Sequence, residues 1–329
     1  MSIQDRLRSV MRHRLGRSTT GRPYRLVVEI SNACNLRCIM CPRNNMTRKI
    51  TFMDPSFFRT LMMKNRDILE FVTLNGYGEP LLHPELWGML DCCRELGIGS
   101  GISTNCTLLD EKRARMLLDH PPDQLTLAID GVNAVHYEQV RVGASFDIVM
   151  ENTRRFLKLK GNKLPYTILQ CIYMPETSEA VRWFKDSFKG LPFDAIRIRQ
   201  LTYSGGQRGK SYVNEKSSCY WLWNEPMALS SGLLSACCQD VNGALILGDL
   251  HDDELRVLWA GPRAVRLRSL HAVGKRGNIP LCRDCNMYQP GAALSLGAQF
   301  FGVNAVNILV PKLETLVSVL RYIPQRNQS

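Results

Sequence analysis

Cys34-Asn35-Leu36-Arg37-Cys38-Ile39-Met40-Cys41 brings three thiols together at a C-x3-C-x2-C spacing. Thiolates are the usual protein ligands of iron-sulfur clusters, and a cubane takes four of them. Three cysteines with no fourth nearby leave one iron open to something other than protein. A zinc site, buried thiols or a disulfide scaffold are the other readings of clustered cysteines. A scaffold suits a small secreted chain, whereas this one has 329 residues.

Outward from the triad, apolar strand-like runs alternate with amphipathic stretches. Strands are expected at Arg25 to Ile30, Phe71 to Leu74, Gly99 to Ser103, Gln124 to Ile129, Tyr166 to Tyr173 and Ala195 to Arg199. Helices are expected to begin near Pro55, Pro84, Asp110, Asp147 and Thr177, several with an Asp or Thr cap and an early Pro. Six such alternations imply an α/β fold with a parallel sheet and right-handed crossovers. Chemistry in such folds gathers on the loops after the strands. The triad follows the first expected strand, Gly76-Tyr77-Gly78-Glu79-Pro80 the second, Ser103-Thr104-Asn105 the third and Asp130-Gly131 the fourth.

The C-x3-C-x2-C spacing, with Pro42 directly after it, resembles the signature of the radical SAM enzymes. The resemblance implies a partial (β/α)6 TIM-like barrel. It implies that Cys34, Cys38 and Cys41 hold a 4Fe-4S cluster whose open iron is chelated by S-adenosylmethionine (SAM), which one electron cleaves to a 5'-deoxyadenosyl radical. Gly76, Gly78 and Glu79 resemble the family's GGEP-type loop, with Tyr77 between the glycines, and Glu79 would hold the SAM amino group. Ser103 and Asn105 stand where the family contacts the SAM carboxylate and ribose. Asp130 would face SAM or substrate, and Arg199 with Gln200 the far edge of the pocket. Read from residues alone, these are also a tight turn, a capping segment and a turn aspartate.

Downstream, Cys219, the pair Cys237-Cys238 and the knuckle Cys282-Arg283-Asp284-Cys285 add five cysteines, and four thiolates from this set would be enough for a cubane or a structural zinc. The stretch from Cys219 to Cys285 resembles the SPASM or twitch extension of the family. With no cysteine after Cys285, it implies a twitch-like module with one auxiliary 4Fe-4S cluster on Cys219, Cys237, Cys282 and Cys285. Either Cys237 or Cys238 would ligate, the first favoured by position. The expected division is therefore a basic segment 1–22, a core 23–203, a linker 204–218, a cluster module 219–289 and a helical tail 290–329.

The composition is globular, 45% apolar and 22% charged, with a formal charge of +12 that cluster thiolates and anionic ligands will reduce. Arg6, Arg8, Arg12, Arg14, Arg17 and Arg22 crowd the N-terminus, where they would touch phosphate or an anionic membrane surface or, the favoured reading, form a solvated helix face; the run lacks the apolar core of a signal peptide. Twelve cysteines without such a leader point to a reducing, cytoplasmic setting. No nucleic acid partner is expected. Met287 to Pro311 carries no charge, but Gln299, Asn304 and Asn307 interrupt it, which makes a poor spanning segment. The tail would dock on the catalytic domain or touch a membrane surface weakly and reversibly.

The resemblance implies hydrogen-atom abstraction from carbon. One group of such enzymes epimerises or dehydrogenates sugars, cyclitols or similar small polyols; another epimerises or cross-links ribosomally made peptides. The chain shows no separate peptide-recognition segment before Arg25, which favours the small-molecule substrate. A flavodoxin- or ferredoxin-type protein would act as reductant. Cys171, in the fifth expected strand, is a candidate hydrogen donor, which would make the enzyme an epimerase. A non-enzymatic electron carrier or redox sensor would need four protein ligands at each cluster.

Overall fold

The computed structural model describes residues 21–173, 179–200 and 218–285. The basic segment before residue 21, the linker before Ser218, the tail 290–329 and the helix start at Thr177 lie outside the described residues. Elements follow in the order β1 (Arg25–Val28), α1 (Pro55–Asn65), β2 (Phe71–Thr73), α2 (Leu86–Glu95), β3 (Gly99–Thr104), α3 (Glu111–Asp119) and β4 (Gln124–Ala128). Next come α4 (Ala134–Val140), α5 (Phe146–Lys160), β5 (Tyr166–Tyr173), α6 (Ala180–Ser187) and β6 (Ala195–Gln200). The C-terminal module adds α7 (Trp221–Asn224), β7 (Met227–Ala228), β8 (Leu233–Ser235), β9 (Ile246–Asp249), α8 (Leu255–Ala260), α9 (Pro262–Ala272) and α10 (Pro280–Arg283). The fold is the expected α/β type, a parallel-sheet core of partial TIM-like kind followed by a small module.

The chain divides into two compact units. One contains 21–34, 41–101 and 218–285 among the described residues, so the C-terminal module shares a unit with β1 and β2. In it β1 runs parallel to β2 on one side and to β7 on the other, Val27 standing opposite Thr73 and Met227. β8 and β9 extend this sheet antiparallel. Leu26, Val28, Val72 and Leu74 are fully buried, as expected of parallel strands covered on both faces. α1 begins where Asp54 accepts the Phe57 N–H at 2.8 Å and Pro55 pre-sets the first turn.

The other unit contains 35–40, 102–173 and 179–200. Here β4, β5 and β6 pair in parallel, Leu127 opposite Leu169 and Leu169 opposite Ile196, all buried. α5 buries Val149, Phe156 and Leu157 and ends at Gly161, whose φ of 57° suits glycine. α4 is an addition to the expected helices. Its short span offers little periodicity, but Asn133 caps it on the His136 N–H at 2.9 Å. A Cβ on Gly131 would stand 2.7 Å from the Tyr137 Cα, so only glycine lets α4 turn in this tightly.

Candidate active site

Cys34 and Cys41 are half-buried in the first unit, and Cys38 is buried in the second. Around Cys38, the N–H groups of Arg37 and Ile39 donate to the carbonyls of Val142 and Val140 at 2.9 and 3.0 Å, which lays the middle of the cysteine loop along the end of α4. Asn105 Nδ2 donates to Asn35 Oδ1 at 3.0 Å, and Asn105 Oδ1 accepts the Thr107 N–H at 3.0 Å. Asn35 Nδ2 donates in turn to Thr107 Oγ1 at 2.7 Å. Asn105 therefore braces the residue that follows Cys34. Ser103 is half-buried on β3, next to the buried Thr104.

Asp130 is fully buried with both carboxylate oxygens engaged: Oδ1 accepts the Ile172 N–H at 2.7 Å and Oδ2 pairs with Arg141. Arg141 Nη1 then reaches Cys38 Sγ at 3.7 Å. Burial alone would lower the Arg141 pKa, but the negative charges of Asp130 and Cys38 outweigh it and hold the guanidinium charged. Asp130 was expected to face SAM or substrate; in this unit its carboxylate faces Arg141. Sequence reading missed Arg141, which belongs to no motif and follows a helix too short to be expected.

The glycines of Gly76-Tyr77-Gly78-Glu79 are required by close approach to the chain itself. A Cβ on Gly78 would lie 2.3 Å from the Ser31 carbonyl oxygen and 2.6 Å from that of Ala33, and one on Gly76 would lie 2.5 Å from Glu29 Cγ. Backbone atoms at such distances cannot yield cheaply. The Glu79 N–H donates to the Ala33 carbonyl at 2.8 Å, tying this loop directly ahead of Cys34. The Glu79 carboxylate is buried and Oε1 accepts the Leu81 N–H at 3.2 Å. Tyr77 donates its hydroxyl to the Cys238 carbonyl at 2.8 Å. Burial first, then the charges of Cys238, Cys237, Asp240 and Cys41, push the phenol pKa well up and keep it a donor.

Cys219, Cys237, Cys282 and Cys285 line one cavity, together with Trp221, Leu222, Gln239, His271, Arg276 and Leu281. Cys238 is not among the lining residues. Burial raises the Cys219 pKa to about 12, helped by the charge of Cys285, and burial with the charges of Cys219 and Cys285 does the same to Cys282. A hydrogen bond between the Cys237 and Cys238 thiols, then burial, raises the Cys237 pKa well above that of an ordinary thiol. Such thiols keep their protons until a metal displaces them. Asp240 shapes the loop, accepting the N–H groups of Ala244 and Leu245 at 2.6 and 2.7 Å and the Ser235 hydroxyl at 2.8 Å. Among the described residues no three His, Cys, Asp or Glu side chains converge as ligands of a single ion. Four thiols ringing a cavity fit a cluster, whose irons are gripped at separate corners.

Cys171 is buried on β5, on the face it shares with Leu169, and stands opposite Ile198 of β6. The opposite face carries Gln170, Arg197 and Arg199, with Arg199 exposed. No helix among the described residues is long and apolar enough to cross a membrane.

Residues 28–186 match the family model described as the Radical SAM superfamily, and residues 219–286 match an iron-sulfur cluster-binding domain, SPASM. The S-adenosyl-L-methionine-dependent 2-deoxy-scyllo-inosamine dehydrogenase of Niallia circulans is 24% identical over 264 residues, 79% of this chain and 91% of that protein. The crystal structure of BtrN in complex with AdoMet and 2-DOIA superposes with a TM-score of 0.57 at 21% identity, covering 80% of this chain and 92% of that one. Streptococcus suis SuiB bound to precursor peptide SuiA gives 0.63 at 14% identity, covering 80% and 73%. With a SAM-dependent core and an auxiliary cluster domain both matched along its length, the chain belongs to the radical SAM superfamily and is an enzyme whose cofactors are SAM, a 4Fe-4S cluster and an auxiliary iron-sulfur cluster.

Proposed function

We propose that the enzyme dehydrogenates a secondary alcohol of a cyclitol, sugar or similar small polyol. The observation that carries this reading is the similarity to the 2-deoxy-scyllo-inosamine dehydrogenase, which extends over nearly all of that protein and most of this one. When bound, SAM on the triad's cluster supplies a carbon-centred radical that removes hydrogen from carbon, and the auxiliary cluster offers an acceptor for the electron left behind.

The chain's residues have separate tasks in this scheme. Cys34, Cys38 and Cys41 hold the SAM-binding cluster, while Cys219, Cys237, Cys282 and Cys285 hold the auxiliary one. Glu79 complements the SAM ammonium, and Gly76 and Gly78 allow its loop to sit against the strand leading to Cys34. Ser103 and Asn105 orient SAM from β3 and its following turn, and Asn105 does so while bracing Asn35. Gln170, Arg197 and Arg199 form a polar strand face able to bind hydroxyl groups. A flavodoxin- or ferredoxin-type protein supplies the starting electron.

Anaerobically reconstituted protein should bind about eight irons, and about four after Cys34, Cys38 and Cys41 are replaced by Ala, with 5'-deoxyadenosine formation lost. Zinc in the module, with only about four irons in total, would refute the auxiliary-cluster assignment. Incubation with aminocyclitols and cyclitols in deuterated water should give a ketone and 5'-deoxyadenosine, with no alcohol carrying solvent deuterium at the reacting carbon. An inverted, deuterated product that disappears in Cys171→Ala would replace dehydrogenation by epimerisation.

A further inference from the structure

Arg141 is placed with unusual definition for a residue outside every motif. Its guanidinium is anchored by the fully buried Asp130, whose other oxygen is held by the Ile172 N–H at 2.7 Å. The backbone on either side of Arg141 receives the N–H groups of Arg37 and Ile39, the two residues flanking Cys38, at 2.9 and 3.0 Å. The guanidinium and the cysteine are thus held in fixed relation by main chain as well as side chain. Nη1 lies 3.7 Å from Cys38 Sγ, and Arg141 is only 12% exposed, so little water screens the charge.

We propose that Arg141 is a positioning residue for the SAM-binding cluster: it donates to the Cys38 sulfur and raises the potential at which the cluster accepts an electron. This rests on the triad holding that cluster. Reduction adds one negative charge to the cluster, and a fixed cation on a ligand sulfur stabilises the reduced form. Asp130 holds the cation in place and at the same time offsets part of its charge. The two residues therefore have opposite effects on potential although they form one ion pair.

The test is a redox titration of the reconstituted enzyme, following the electron paramagnetic resonance signal of the reduced cluster that changes when SAM is added. Arg141→Gln should shift the midpoint to more negative values, so that less cluster is reduced at the potential that half-reduces wild type. Arg141→Lys should restore most of the shift. Asp130→Asn should move the midpoint to more positive values. Thermal unfolding of cluster-free protein supplies the contrast, since both neutral variants break the same buried pair and should melt lower. A merely structural role predicts potentials that move together or stay still, and that result would overturn the proposal. If Arg141→Gln fails to load, Asp130→Asn decides alone: an upward shift supports the proposal, and an unchanged or lower midpoint refutes it. Wild type without a SAM-responsive signal would remove the triad assignment and this proposal with it, whereas a responsive wild type with unmoved variants removes this proposal only.

Discussion

Replacing Arg48 by Met is expected to destabilise the first unit far more than loss of an ordinary surface ion pair. Arg48 Nη1 and Nη2 donate to Glu29 Oε1 and Oε2, each at 2.7 Å, and Nε donates to the Val241 carbonyl at 2.7 Å. The Glu29 side chain is 0% exposed and that of Arg48 15%. Ser230 adds its N–H and hydroxyl to Glu29 Oε1 at 3.2 and 3.0 Å, but these cannot neutralise the carboxylate. Removing one partner of a buried pair costs about 3–5 kcal/mol, chiefly through the charge left behind. At roughly 2–4 °C per kcal/mol for a domain of this order of size, the melting temperature of cluster-free protein should fall by on the order of 10 °C. Arg59→Met is the control, since its pair with Glu95 is 55% and 57% exposed and is worth under about 1 kcal/mol. Adding Glu29→Gln to Arg48→Met should recover part of the loss, because the orphaned charge is gone. The assay is anaerobic thermal unfolding of reduced, cluster-free protein. A fall no larger than that of Arg59→Met, or a double variant less stable than Arg48→Met, would refute the reasoning.

Glu79→Gln keeps an acceptor for the Leu81 N–H but removes the charge that complements an ammonium group, so SAM affinity should fall about tenfold at unchanged iron content. Equilibrium SAM binding checks this, and unchanged affinity would restrict Glu79 to holding its turn. His83 is buried, with Nε2 donating to the Met53 carbonyl at 3.0 Å and Nδ1 accepting the Glu85 N–H at 3.1 Å, and burial lowers its pKa. Its contribution to stability should therefore be complete above the unfolded value of about 6.5 and be lost as pH falls through the lowered folded value. Denaturant unfolding as a function of pH should show this decline in wild type and a flatter profile in His83→Gln.

The sequence alone was sufficient for the six core strands and the longer helices between them, because apolar runs bounded by Asp54-Pro55 or Asp110 carry their own periodicity and caps. The spacings Cys34-x3-Cys38-x2-Cys41 and Cys282-x2-Cys285 could be read as candidate ligand motifs because each is local in the chain. The rest depended on partners distant in sequence. Only the fold places Cys237, rather than Cys238, on the cavity with Cys219, Cys282 and Cys285, while Tyr77 takes the Cys238 carbonyl. The need for Gly78 lies in the Ser31 and Ala33 carbonyls, and the need for Glu29 lies in Arg48 and Ser230. Asp130 could be picked out as a residue after a strand, but its partner could not be. A hydrogen bond joining Arg141 to Cys38 spans residues that no periodicity, cap or spacing relates, and it exists because the short α4 returns the chain to the cysteine loop.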